Sequence, residues 1–189
     1  MPDGYARARN ADLVNLPNAI TLARLCAVPM AVWLILRNQL ALTFGLFVVA
    51  GVSDAIDGWL ARRRGGSAVG AMLDPLADKA LVVSMFITLT AIGVLPDWLT
   101  ILVVFRDLLI IAGLLVLWQL AVPVRIKPLA ISKLNTALQL ALIAVALLFR
   151  GFGLHGGDPV LSVLVWAVAA TTLASGSAYV WLAARGRVQ

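Results

Sequence analysis

The sequence has little charge, almost no cysteine or histidine, and no glutamate at all. Charged residues make up 13% of its 189 residues, about half the share found in an average soluble domain. Cys26 is the single cysteine and His155 the single histidine, so neither a disulfide framework nor a cysteine or histidine metal centre can form within one chain. These shortages exclude an ordinary soluble domain.

Apolar residues are in excess, at 62% of the chain. They form six long runs, residues 19–36, 40–60, 71–95, 98–122, 134–149 and 160–184. Each run is expected to be a helix, because backbone polar groups cannot go unpaired in hydrocarbon, and a crossing takes ~20 residues. We therefore predict an all-α integral membrane protein with a six-helix domain over residues 18–184. Residues 1–17 would be a cytoplasmic or interfacial segment, and residues 185–189 a cytoplasmic tail.

The basic residues predict the orientation. Ten of those outside the spans fall in connections on one side, and two, Arg37 and Arg150, fall on the other. Because cytoplasmic loops carry the excess of Lys and Arg, both termini are expected in the cytoplasm. No cleavable signal is evident, which favours a bacterial cytoplasmic membrane. The net charge of +6 then indicates affinity for anionic lipid headgroups, and no nucleic-acid partner is expected.

Besides four aspartates between residues 54 and 78, four ionisable residues lie inside the apolar runs. They are Arg24, Lys79, Arg106 and Asp107. A charge at membrane depth costs at least ~2.5 kcal/mol, so each is a functional hypothesis. The alternative for Arg106 and Asp107 is that they only neutralise each other inside the bundle.

Four aspartates are concentrated where the second run ends and the third begins. They are Asp54, Asp57, Asp74 and Asp78. At helical periodicity Asp54 and Asp57 share one face, and Asp74 and Asp78 stack one turn apart on the next helix. The two helices are expected to be antiparallel and joined near the cytoplasm, so the carboxylates should converge at one depth. The structural alternative is four acids that cap helix ends at the interface.

Crowded carboxylates in a low dielectric cannot all stay ionised without a counterion. Oxygen-only ligands favour Mg²⁺ or Mn²⁺, and a pair of such ions can hold the nucleophile and leaving group of an in-line displacement at phosphorus. Gly58 and Ala61 lie on the face of Asp54 and Asp57, and their lack of bulk leaves space for a nucleotide. The pattern predicts phosphoryl transfer at the cytoplasmic membrane surface.

These residues also match a known family. The run Asp-Ala-Ile-Asp-Gly-Trp-Leu-Ala-Arg at residues 54–62, followed by Gly-Ala-Met-Leu-Asp-Pro-Leu-Ala-Asp-Lys at residues 70–79, resembles the signature of the CDP-alcohol phosphatidyltransferases. Seven residues separate Arg62 from Gly70, one fewer than in the family's usual pattern.

The resemblance implies a fold, a reaction and a homodimer. It implies that Asp54, Asp57 and Asp74 bind two metal ions, Mg²⁺ or Mn²⁺, and help to hold cytidine diphosphate. Asp78 would be the general base and a shared metal ligand. The acceptor hydroxyl would attack CDP-diacylglycerol, and CMP would leave. The CDP site would also be lined by Gly58, Ala61 and Arg62.

Two further stretches bear on the acceptor. Residues 16–24 look like the family's entry segment, with Asn18, Thr21 and Arg24 close together around the helix. Residues 105–107 and 127–140 look similar to the eukaryotic-type cardiolipin synthases, whose acceptor is phosphatidylglycerol. A phosphodiester acceptor needs cationic partners, which Arg106 and Lys133 could supply.

Other functions stay open at this point. Phosphatidylglycerophosphate synthases carry a related Lys-x-x-Thr pattern and use glycerol 3-phosphate. A cation carrier could also use the aspartates as an ion site. Lys133 could be an interfacial residue that snorkels, and Asn135, Thr136 and Gln139 could do no more than bond neighbouring helices.

Overall fold

The computed structural model describes residues 16–64, 68–119 and 130–184, and the side chains of residues 25–53, 79–113 and 130–179. Across these ranges the chain is entirely helical apart from short turns, which confirms the all-α prediction. The six helices are α1 (Leu16–Leu36), α2 (Leu40–Arg64), α3 (Ala68–Ala91), α4 (Asp97–Gln119), α5 (Ala130–Gly151) and α6 (Gly157–Ala184). Each corresponds to one predicted apolar run. Of the predicted N-terminal segment, residues 1–15 lie outside the described ranges.

Helix α3 ends earlier than predicted, at Ala91 instead of residue 95. Gly93 has φ +74°, and its N–H and that of Val94 donate to the carbonyls of Thr90 and Leu89 at 2.8 and 2.9 Å. This left-handed cap satisfies the last carbonyls of the helix and turns the chain away. Leu95 lies beyond the end of the helix but is buried, at 3% exposure, and this burial accounts for an apolar residue at that position.

The same cap closes α1 with a residue other than glycine. Asn38 has φ 58°, its N–H donates to Ile35 at 2.8 Å, and the N–H of Gln39 donates to Leu34 at 2.9 Å. Asparagine tolerates the left-handed region better than most residues with a side chain. The predicted turn over residues 37–39 is therefore a three-residue connection between α1 and α2.

The chain divides into two compact units after Thr88. In the first unit α1 packs against α2. Among its described residues, Ile35, Met85 and Phe86 are fully buried. Burial of each such side chain contributes roughly 1.5–3 kcal/mol relative to exposure in water.

In the second unit α6 packs against both α4 and α5. Leu99 and Val103 of α4, Leu142 and Ile143 of α5 and Val168 of α6 are fully buried. The Trp98 and Trp166 rings meet with centroids 5.3 Å apart at the contact of α4 with α6. Helix α6 is therefore the central helix of this unit.

Large apolar side chains also cover the outside of the second unit. Ile101 and Phe105 on α4 are 68% and 63% exposed, and Val163 and Leu173 on α6 are 68% and 59% exposed. Among the described residues, Ala130–Gly151 and Gly157–Tyr179 are long and apolar enough to cross a membrane, each with a mean hydropathy of 1.7. The six spans of the sequence analysis stay a prediction.

At the turn between α5 and α6, the position of Gly157 has no room for a side chain. A Cβ atom at this position would overlap the Cβ and ring of Phe149, whereas a Cβ at Gly45 in α2 would meet nothing within 4 Å. Gly157→Ala should therefore cost about 1–3 kcal/mol through overpacking. The control Gly45→Ala should leave stability unchanged or raise it by up to about 1 kcal/mol, because alanine favours helix. Thermal unfolding in detergent measures both, and equal melting temperatures would contradict the predicted overlap.

Candidate active site

The aspartates of the predicted centre lie on two helices. Asp54 and Asp57 are in the carboxyl-terminal half of α2, and Asp74 and Asp78 are in the amino-terminal half of α3. Because α2 and α3 are continuous through these positions, the helical spacing assumed from the sequence holds on each. Gly58 lies on the face of Asp54 and Asp57.

The connection between these helices is shorter than the apolar runs indicated. Helix α2 continues to Arg64 and α3 begins at Ala68, which leaves residues 65–67 between them. Arg62 is therefore in the last turn of α2, and Gly70 is in the first turn of α3. Both helices extend beyond the apolar runs, α2 by residues 61–64, which include three arginines, and α3 by residues 68–70, which are Ala, Val and Gly.

Several predicted site residues have side chains outside the described part of the structure. They are Asn18, Thr21, Arg24, Asp54, Asp57, Gly58, Ala61, Arg62, Asp74 and Asp78. Their helical positions are known, but the convergence of the carboxylates and their contacts stay predictions.

The donor chemistry of the two helix segments fits a hard divalent cation. Between residues 54 and 78 the metal-binding side chains are carboxylates, with no histidine or cysteine among them. Oxygen donors are what Mg²⁺ and Mn²⁺ prefer. Among the side chains that the structure describes, no three histidines, cysteines or acids come together as a second centre.

Arg106 is buried, with 5% of the side chain exposed. Its Nη1 donates to Asp107 Oδ1 at 2.7 Å, and its Nη2 donates to Ser132 Oγ of α5 at 2.7 Å and to Ser175 Oγ of α6 at 2.5 Å. The guanidinium carbon also lies 6.0 Å from the centroid of the Tyr179 ring. The mutual neutralisation of Arg106 and Asp107 considered above is thus present, and two serines extend it to three helices.

Lys133 follows Ser132 in the first turn of α5 and is exposed. A primary amine at the surface of a helix end can reach a phosphate, and it can equally extend to the polar edge of a membrane. Of the two cations predicted at the acceptor site whose side chains are described, only Lys133 is exposed.

A second polar contact joins α5 to α6 one turn further along. Asn135 is fully buried, and its Oδ1 accepts hydrogen bonds from Thr171 Oγ1 and Thr172 Oγ1, both at 2.9 Å. Gln139 is also fully buried, but its amide oxygen and nitrogen, like Asn135 Nδ2, have no hydrogen-bond partner among the residues that the structure describes. Thr136 donates only to the carbonyl of Ser132, at 3.2 Å. The suggestion that these residues bond neighbouring helices therefore holds for Asn135 alone among the three.

Ser175, Thr171 and Thr172 were not singled out from the sequence. Ser175 lies three residues after Thr172 and four after Thr171 on α6, so it shares a helical face with both. A repeated small hydroxyl residue at this spacing inside an apolar run is the signal that could have pointed to a helix contact.

Buried polar side chains such as Arg106 and Asn135 and exposed apolar ones such as Ile101, in a chain made of helices wherever it is described, define the class as an all-helical membrane protein. The chain belongs to the CDP-alcohol phosphatidyltransferase family, which matches it over residues 14–174. This family is membrane-bound and generally uses divalent metal ions.

Curated relatives carry two names. "CDP-diacylglycerol--glycerol-3-phosphate 3-phosphatidyltransferase 1, chloroplastic" of Oryza sativa subsp. japonica is 38% identical over 88% of this chain and 56% of its own length. "Cardiolipin synthase (CMP-forming)" of Rattus norvegicus is 34% identical over 87% of this chain and 60% of its own length. "CDP-diacylglycerol--glycerol-3-phosphate 3-phosphatidyltransferase" of Rickettsia typhi is 34% identical over 87% of this chain and 94% of its own length. The chain thus spans just over half of the rice and rat proteins and nearly all of the Rickettsia protein.

The two buried amides of α5 should respond differently to replacement by leucine. Asn135→Leu removes the shared acceptor of two threonine hydroxyls, so it should lower the free energy of unfolding by about 1–3 kcal/mol. Gln139→Leu removes an amide with no partner, so stability should be unchanged or higher. Thermal unfolding of the two variants in the same detergent is the measurement. Greater destabilisation by Gln139→Leu than by Asn135→Leu would show that the glutamine amide has a partner.

Proposed function

We propose that this chain transfers a phosphatidyl group from CDP-diacylglycerol to the hydroxyl of phosphatidylglycerol, forming cardiolipin and CMP. The observation that carries the proposal is the ordered set of four aspartates on α2 and α3, inside the region that matches the family. The similarity of residues 127–140 to cardiolipin synthases supports phosphatidylglycerol as the acceptor.

The aspartates would hold the metal ions. Asp54, Asp57, Asp74 and Asp78 supply carboxylate ligands for two Mg²⁺ or Mn²⁺ ions, which when bound neutralise charge on the diphosphate. Asp54, Asp57 and Asp74 also help to fix the cytidine diphosphate. The face of α2 that carries Gly58 and Ala61 leaves room for the nucleotide, with Arg62 one residue further along.

The reaction is an in-line displacement at phosphorus. Asp78 takes the proton of the acceptor hydroxyl as its oxygen forms a bond to the phosphorus nearest the lipid. The bond from that phosphorus to the bridging oxygen breaks, and the electron pair leaves with CMP. A positioned base of this kind contributes about 10²–10⁴ to a rate.

The acceptor phosphate would lie among the cations near the cytoplasmic helix ends. Lys133 is exposed there and is suited to contact the phosphate. Asn18, Thr21 and Arg24 on α1 would complete the acceptor and phosphate site. Arg106 belongs to the same predicted set.

Glycerol 3-phosphate is the second candidate acceptor. The rice and Rickettsia relatives carry names that specify glycerol 3-phosphate. Both candidate acceptors bear a phosphate group next to the hydroxyl-bearing glycerol, so the same cations would serve either.

The surroundings of the reaction follow from the same proposal. Six spans in a bacterial cytoplasmic membrane, with both termini and the aspartates on the cytoplasmic side, would place the centre where both lipid headgroups lie. The chain would act as a homodimer.

A competition assay tests the reaction and its acceptor. The purified protein receives labelled CDP-diacylglycerol with phosphatidylglycerol, glycerol 3-phosphate and inositol phosphate together, and the product is identified by mass. Cardiolipin and CMP are expected with Mg²⁺ or Mn²⁺, and neither after chelation. A dominant phosphatidylglycerophosphate product would show that the acceptor is glycerol 3-phosphate, and the enzyme class would be unchanged. Cation flux in liposomes without CMP release would instead support a carrier and overturn the proposal.

The role of Asp78 predicts a separation of turnover from binding. Asp78→Asn should lower kcat by about 10²–10⁴ because the base is lost, while nucleotide binding is retained. The rate of CMP release measures turnover, and displacement of bound CDP measures nucleotide binding. Asp158→Asn changes an exposed aspartate outside the motif and is the control. Full activity of the Asp78 variant would contradict the assigned base.

A further inference from the structure

The buried guanidinium of Arg106 joins three helices of the second unit at one point. It extends from the middle of α4 and reaches Ser132 in the first turn of α5 and Ser175 in the carboxyl-terminal half of α6, through one nitrogen, Nη2. We call this arrangement of Arg106, Ser132 and Ser175 the serine joint. Asp107 neutralises the charge at Nη1.

The donors of Arg106 are largely consumed by the joint. Nη2 carries two hydrogens, and the two serine oxygens take both. Nε is buried and has no hydrogen-bond partner within the described part of the chain. Arginine binds a phosphate strongly when two neighbouring N–H groups donate to it. For Arg106 to supply such a pair, Nη2 or a second nitrogen would have to leave the interior. At 5% exposure the guanidinium is not presented to a ligand.

The joint holds the part of α5 that carries Lys133. Ser132 precedes Lys133 in the first turn, where a helix lacks backbone partners for its amide groups. The nearest side-chain hydrogen bonds between α5 and α6 among the described residues are those of Asn135 with Thr171 and Thr172. Without the bond from Arg106 to Ser132, the turn that carries Lys133 would lie beyond the outermost described hydrogen bonds between α5 and another helix of the unit, which are those of Asn135.

We propose that Arg106, Ser132 and Ser175 are positioning residues that set where Lys133 meets the acceptor phosphate. This inference rests on the proposed function, because it takes Lys133 as the contact to the acceptor. Arg106 then influences acceptor binding without touching the acceptor.

Steady-state kinetics of serine variants test the proposal. Ser132→Ala and Ser175→Ala should each raise the acceptor KM about three- to tenfold, with kcat and the KM for CDP-diacylglycerol within about twofold of the parent. Ser132→Thr keeps a hydroxyl and should restore the acceptor KM. The acceptor is whichever of phosphatidylglycerol and glycerol 3-phosphate the parent uses.

Ser177→Ala is the matched control. Ser177 lies two residues beyond Ser175, is exposed, and donates only to the carbonyl of Ala174 within its own helix, at 3.1 Å. Its replacement should leave both KM values unchanged. Melting temperatures of all variants separate a local effect from general destabilisation, since unfolding would lower kcat and not selectively raise one KM.

The outcomes distinguish this inference from the function on which it rests. Lys133→Gln should raise the acceptor KM about tenfold, as expected for loss of a charge-assisted contact. If it does so while the serine variants leave that KM unchanged or lower it, the joint does not position Lys133. If Arg106 contacted the acceptor directly, the serine variants would have an unchanged or lower acceptor KM, because removal of the serine hydroxyls frees Nη2. If Lys133→Gln has no effect, the acceptor site is misplaced and this inference fails, while CMP release still tests the transferase reaction by itself.

Discussion

A charged side chain between apolar helices must find its partners inside the protein, because hydrocarbon offers none. In the second unit this constraint falls on Arg106. One carboxylate and two hydroxyls accept its hydrogen bonds, and they come from all three helices of the unit. The buried charge therefore joins the first turn of α5 to the middle of α4 and to the carboxyl-terminal half of α6. A pair of this kind is weak evidence for stability but can specify a particular packing.

The same constraint explains how the helices end. Asn38 and Gly93 adopt left-handed conformations that let the following amides bond back to the last turn. The chain can then reverse in a few residues without leaving carbonyls unpaired. In the hairpin of α5 and α6, Lys133 lies in the first turn of α5, and the ion pair of Arg150 with Asp158, at 2.9 Å, lies at the opposite end beside the turn.

Polar groups inside the second unit are unequal in their pairing. Asn135 Oδ1 accepts from two hydroxyls, whereas both amide atoms of Gln139, one turn away and equally buried, have no hydrogen-bond partner among the described residues, and neither has Asn135 Nδ2. An unpaired buried amide costs about 1–3 kcal/mol, so its retention is not explained by stability. The contrast shows that residue type and burial together do not reveal whether a polar side chain is part of a helix contact.

The amino-acid sequence by itself determined the helical class, the approximate position of each helix and the family, because long apolar runs and the spacing of the aspartates are local properties of the chain. It also indicated that Arg106 and Asp107 could neutralise each other, since they are neighbours. The contribution of Ser175 could not be foreseen, because 69 residues separate it from Arg106 and only helix packing decides which distant hydroxyl lies beside a buried cation. Helix ends such as Ala91 were misjudged for a related reason: Leu95 is apolar through burial in the folded unit, and a local pattern cannot distinguish that from the continuation of a helix.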